Sequence, residues 1–149
     1  MKKVLFVCLG NICRSPMAEA IFKDMAAGLI DVDSAATSRW NDGQAPHKGT
    51  QDVLKSRGLH CDGMFARQIT PDDFLNFDYI IGMDSENVDN LKAIAPEGTL
   101  DRIHLFLDIV DGREGQGVPD PWYTGDFDET ERLVVEGSRR WVEYITNQV

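Results

Sequence analysis

The sequence predicts an α/β domain in three layers, α/β/α, built on a four-stranded parallel sheet. Three observations lead there. Strand-length segments recur, apolar at residues 4–7, 78–83 and 103–107 and alternating at 30–36, and segments with apolar residues three or four apart lie between them. The first run, the amphipathic segment after it and the second run all fit within the first 36 residues, which implies a right-handed parallel crossover. Length and composition agree: 149 residues, 42% hydrophobic and 27% charged, with no repeat or low-complexity tract, make one domain spanning 1–149. A net charge of -10 disfavours nucleic-acid or anionic-membrane partners, so any phosphate must be held by local donors. Met1-Lys2-Lys3 briefly imitates a leader peptide, but Asn11 and Arg14 interrupt the apolar stretch. Three cysteines, an odd number, suit a reducing compartment, and a cytoplasmic protein is expected.

Residues 4–7, Val-Leu-Phe-Val, have the pattern of a strand buried on both faces. A tight loop follows, and Ser15-Pro16 reads as a helix start, serine at the N-cap and proline at the first helical position. This helix carries Met17, Ala20, Ile21 and Met25 on one face and ends at Gly28. After the strand at 30–36, residues 37–48 contain Asn41-Asp42-Gly43 and Pro46 and read as a loop; Trp40 in it either contacts a ligand or covers the core's edge. A short helix over 50–57 closes at Gly58, and Cys61 lies in a turn without partners at metal-ligand spacing. Thr70-Pro71-Asp72-Asp73 opens another short helix. Asp84 follows the strand at 78–83, where it either faces a ligand at the sheet edge or caps the helix bearing Val88, Leu91 and Ile94. Residues 103–107 give the fourth strand, and 108–126 a long surface loop containing Val118-Pro119-Asp120-Pro121-Trp122-Tyr123. A closing helix over 128–147 presents Leu133, Val134, Gly137, Trp141 and either Tyr144 or Ile145 to the sheet. With the first strand central, its C-terminal edge delivers Cys8, and the Asp120 loop is long enough to reach over it.

Strand, tight loop and helix in succession aim backbone N–H groups and the positive end of a helix dipole into one small space, which favours an oxyanion. A cysteine there is biased toward its thiolate. Arg14, at C-x-x-x-x-x-R spacing from Cys8, returns to the same space with a planar fork of donors. The pattern is short, but placed between an apolar strand and a Ser-Pro helix start it is specific. Such a thiolate is suited to attack the phosphorus of a phosphate monoester. Cys8 then takes the phosphoryl group, while the amides of Leu9, Gly10, Asn11, Ile12, Cys13, Arg14 and Ser15, with the Arg14 side chain, hold its equatorial oxygens. Asp120 protonates the leaving oxygen and later activates water, and the Ser15 hydroxyl favours the charged sulfur. No metal or other cofactor is required. Cys13 is expected within disulfide reach of Cys8, giving a reversible oxidised form; the alternative is a small residue packing behind the loop.

The run Cys8-Leu9-Gly10-Asn11-Ile12-Cys13-Arg14-Ser15-Pro16-Met17-Ala18-Glu19-Ala20 resembles the signature of the low molecular weight protein-tyrosine phosphatases. Further matches at residues 33–38, 66–70 and 77–80, at Met83-Asp84 with Asn87, and at Asp120-Pro121-Trp122-Tyr123 extend the resemblance over essentially the whole chain. It implies a phosphatase I-like fold, Cys8 as nucleophile, Arg14 as phosphate-binding residue, Asp120 as general acid, and Asn11 and Ser15 as supports of the loop. It further implies action on phosphotyrosine-containing proteins, with Trp40, Trp122 and Tyr123 around the phenyl ring; a monomer is expected. Some relatives carry a histidine ahead of Ala-Arg-Gln that buttresses the loop asparagine; Met64 stands there here. Thioredoxin-coupled arsenate reductases share fold and loop but need a relay pair of cysteines, and this chain offers only Cys61. Phosphoarginine phosphatases resemble Cys-Thr-Gly-Asn-Thr-Cys-Arg-Ser in the loop, whereas Ile12 with three aromatic walls favours a flat apolar ring. A non-catalytic phosphate-binding regulator is disfavoured because nucleophile, arginine and acid are all present.

Overall fold

Apolar side chains on both faces make β1 (Lys2–Cys8) an inner strand. It pairs with β2 (Ile30–Ala36) on one side and β3 (Tyr79–Gly82) on the other; β4 (Ile103–Leu105) completes a parallel sheet of order β2-β1-β3-β4. The computed structural model describes residues 1–147, so the last two residues of the expected 1–149 domain lie outside the described residues. Val4, Leu5, Phe6 and Val7 are wholly buried, each contributing about 1.5–3 kcal/mol through the water it gives up. Because side chains alternate along a strand, they serve two cores. Val4 and Phe6 pack with α1 (Arg14–Ala26), α2 (Lys48–Ser56) and α6 (Phe127–Thr146), while Leu5 and Val7 face α3 (Pro71–Asn76) and α4 (Ser85–Ile94). The three-layer expectation is met.

Several elements differ from the sequence expectation, each for a local reason. The first helix is capped by Cys13, not Ser15, with no side-chain cap bond. Ser15 lies inside the first turn because its hydroxyl bonds Asn11 and faces Cys8. The helix closes with Ala27 in the left-handed region at φ 49. The fourth strand stops at Leu105, and Phe106–Ile109 winds into a 3-10 turn. There Phe106 and Leu107 are both fully buried, and the Trp141 indole N–H takes the Phe106 carbonyl at 2.8 Å. The long loop contains a four-residue helix, α5 (Pro121–Thr124), with Asp120 as its N-cap. On α6 it is Ile145 that enters the core, while Tyr144 stays 43% exposed.

Candidate active site

The loop after β1 turns its carbonyls away from the cleft. Leu9 C=O accepts from the N–H and hydroxyl of Ser38 at 3.1 and 2.9 Å, and Ile12 C=O accepts from the His47 N–H at 2.7 Å. Cys13 C=O accepts from the Thr50 hydroxyl at 2.9 Å. In a planar trans peptide the next residue's N–H points the opposite way, so the amides of Gly10, Cys13 and Arg14 turn toward the cleft. Asn11 makes the sharp bend with φ 57, a conformation asparagine tolerates better than most residues. Its amide is held by three bonds: Nδ2 donates to Ser15 Oγ at 2.7 Å and Ser34 Oγ at 2.9 Å, and Oδ1 accepts the Arg67 N–H at 3.2 Å. These bonds support the asparagine in a chain that has Met64 at the position of the buttressing histidine. A Cβ at Gly10 would meet the Asn41 side-chain amide, which would have to move aside.

Cys8 is 3% exposed, with the Ser15 hydroxyl 3.1 Å and the Asn11 N–H 3.3 Å from its sulfur. Ser15 Oγ already accepts from Asn11, so its own proton is free to point at the sulfur. Arg14 is buried, its Nη1 fixed by Asp84 Oδ2 at 2.6 Å and the Val118 carbonyl at 2.8 Å, its Nη2 loosely by Asp120 Oδ2 at 3.4 Å. Burial works against this charge, but the Cys8 sulfur, Asp84 and Asp120 outweigh it, and the guanidinium is held above its ordinary range. Its Nε is buried with no acceptor among the described residues; a phosphoryl oxygen is the partner such a donor calls for. Asp84 therefore does both things the sequence left open: Oδ1 caps α4 through the Asn87 N–H at 2.8 Å, and Oδ2 orients Arg14. Burial, with Cys8 and Asp120 nearby, pushes the Cys13 thiol up to about 12 against the opposing pull of Arg14.

Cys8, Gly10, Ile12 and Cys13 form the lower part of one cleft, and Trp40, Asp120, Trp122 and Tyr123 stand around it. The expected site residues thus come together. Asp120 Oδ1 accepts the Trp122 N–H at 3.0 Å, which leaves Oδ2 only loosely engaged. Trp40 and Tyr123 are 78% and 77% exposed, so Trp40 lines the cleft and does not cover the core. Cys61 is half-buried, free and outside this cleft. Sequence reasoning missed Ser34, His47, Thr50 and the Val118 carbonyl. Only Gly49, unusual in the first turn of a helix, hinted that the start of α2 is crowded.

A model of the low molecular weight phosphotyrosine protein phosphatase family matches residues 3–149. The chain is 46% identical over 153 residues to the low molecular weight protein-tyrosine-phosphatase YfkJ of Bacillus subtilis, covering 99% of this chain and 98% of that one. The YfkJ crystal structure superposes with a TM-score of 0.95, covering 99% of this chain and 96% of the other. The low molecular weight protein tyrosine phosphatase of Streptococcus pyogenes, SP-PTP, is 50% identical with a TM-score of 0.88, covering 97% and 93%. A Drosophila arginine phosphatase, DARP, is 34% identical with a TM-score of 0.89, covering 97% and 98%. By sequence and by fold, this chain belongs to the low molecular weight phosphotyrosine protein phosphatase family of hydrolases.

Proposed function

We propose that the chain hydrolyses phosphotyrosine in proteins by two displacements through a phosphocysteine at Cys8. The observation that carries this reading is that Cys8, with Ser15 and the Asn11 amide on its sulfur, lines one cleft together with Asp120 and the aromatic residues. In the first step the Cys8 thiolate forms the S–P bond as the P–O bond to the substrate breaks. The Asp120 carboxyl gives its proton to the departing oxygen. Loop amides and the free edge of Arg14 hold the three equatorial oxygens. In the second step the Asp120 carboxylate takes a proton from water, the water oxygen attacks phosphorus, and inorganic phosphate and the thiolate are released. The Ser15 hydroxyl stabilises the sulfur as it departs.

Cys8, 3% exposed in a cleft that Trp40, Trp122 and Tyr123 also line, favours a phosphate carried on a rigid arm. Phosphotyrosine provides that arm and phosphoserine does not. Ile12, at the cleft floor, gives a phenyl ring an apolar contact and a guanidinium none. Cys13 shares the cleft with Cys8; held as the thiol it is a slow nucleophile, so it acts only on a Cys8 that is already oxidised. Peroxide oxidation of Cys8 to the sulfenic acid is followed by attack of Cys13 sulfur, loss of water and a disulfide, which an external thiol reduces. On this reading Cys13→Ser loses thiol-reversible recovery after peroxide, and equal recovery in both proteins contradicts it. The protein acts as a single-domain monomer in the cytoplasm, a setting that suits three free cysteines. Among the described residues no helix is long and apolar enough to cross a membrane.

A side-by-side assay of phosphotyrosine, phosphoserine and phosphoarginine peptides, with arsenate plus thioredoxin as a fourth arm, tests the proposal. Phosphotyrosine is expected to be turned over fastest. Preference for phosphoarginine, or arsenate reduction, would overturn it.

A further inference from the structure

Of the three aromatic residues around the cleft, Trp122 alone has an aromatic partner among the described residues: the imidazole of His47, edge-on at 5.8 Å and 84°. The other face of that imidazole contact is equally fixed. The His47 ring stacks on Phe127 at 5.0 Å with only 22° between planes, and Phe127 is the first residue of the 20-residue helix α6. Rotation of the imidazole is limited further because Nδ1 accepts the Gly49 N–H at 3.0 Å as the N-cap of α2. Gly49 makes this packing possible, since a Cβ there would come within 2.5 Å of the Phe127 ring. On the other side, the His47 backbone N–H holds the Ile12 carbonyl of the phosphate loop. His47 thus joins the loop that faces phosphate to the residue that faces whatever the phosphate is attached to.

We propose that His47 is a positioning residue: its ring fixes Trp122 as the rigid wall for an aryl group and so sets the preference for aryl over alkyl phosphates. This rests on the phosphatase reading above. A flat ring that docks on a wall already held in place loses less ordering entropy on binding, whereas a free phosphate or short alkyl phosphate never uses the wall. Trp40 and Tyr123, without such support, adapt to the rest of the substrate.

Inhibition constants for phenylphosphonate and for inorganic phosphate, measured on the parent, His47→Ala, His47→Phe and His47→Asn, test it. His47→Ala is expected to weaken phenylphosphonate about three- to tenfold, the range of a lost aromatic pair, and to leave phosphate unchanged because the backbone bond to Ile12 remains. His47→Phe keeps a ring without the Nδ1 acceptor and is expected to restore most of the aryl affinity. His47→Asn keeps a capping acceptor without the ring and is expected to stay weak. Equal weakening of both ligands in His47→Ala would show a merely structural role and overturn the inference, as would no change, or rescue by asparagine in place of phenylalanine. A parent chain that binds neither ligand would instead overturn the phosphatase reading, and this inference with it.

Discussion

Arg14, Asn11 and Ser15 are buried to within a few per cent and hydrogen-bonded to the rest of the fold, whereas Trp40, Trp122 and Tyr123, around the same cleft, are 78%, 59% and 77% exposed. The buried half is tightly held: the Leu9, Ile12 and Cys13 carbonyls are each met by a donor, Asn11 and Ser15 by partners, and of the Arg14 guanidinium only Nε is left open toward phosphate among the described residues. A phosphoryl group has one shape, so rigidity costs nothing in range and saves reorganisation in the transition state. The exposed half faces a surface that varies from one protein substrate to another. The difference separates the chemistry from the choice of substrate, and substitutions on the two sides are expected to fail differently.

The sharpest break is Cys8→Ser. A serine hydroxyl in the same loop is a far weaker nucleophile, and turnover is expected to fall by about four orders of magnitude or more while inorganic phosphate still binds. Loss of both would mean the loop had collapsed. Next comes Asp120→Asn, which removes the proton donor and keeps the N-cap of α5. A decrease of about 10²–10⁴ is expected for alkyl phosphates, and a much smaller one for phosphates of acidic phenols, which leave without help. An Asp120→Asn protein as fast as the parent on alkyl phosphates would remove Asp120 from the mechanism.

Trp122→Ala probes the exposed half. It is expected to raise KM for aryl phosphates by about tenfold or less, with kcat and alkyl phosphates little changed. A large fall in kcat would blur the division between the halves. The smallest effect lies behind the loop, where Arg67, whose N–H holds Asn11, is clamped by Asp73 at 2.9 and 3.1 Å. Burial alone would raise the Asp73 carboxyl, but the Arg67 and Thr70 bonds outweigh it and hold it below the usual carboxylate range. Its contribution is therefore present above about pH 4, the unfolded carboxylate value, and is lost as pH falls through the lowered folded value. Thermal melts of the parent and Asp73→Asn are expected to differ by up to about 1 kcal/mol near neutrality and to converge in acid. A difference that grows in acid would reverse the sign.

The same comparison explains what the sequence made legible. Cys8, Arg14 and Ser15 fall within one strand-loop-helix unit, where local rules of capping and spacing reach, and Asp120 is marked by the prolines on either side. The partners that hold the loop arrive from elsewhere: Ser34 and Arg67 reach Asn11 across 23 and 56 positions, and Thr50 reaches Cys13 across 37. Periodicity carries no record of such pairings. Ser15, expected as the helix cap, lies in the first turn for a local reason: its hydroxyl bonds to Asn11, four positions back at the bend of the loop, in place of a helix N–H. The 3-10 turn after the short β4 is met by the Trp141 indole N–H, 35 residues away.

The division of labour in this cleft rests on passage of the phosphoryl group through Cys8. Rapid quenching into denaturant during turnover of an aryl phosphate, followed by peptide mapping, tests it most directly. One phosphoryl group on the Cys8 peptide, absent from Cys8→Ser and accumulating in proportion to active enzyme, is the predicted result. Turnover at the normal rate with no phosphorylated Cys8, or with the phosphoryl group on another residue, would contradict it.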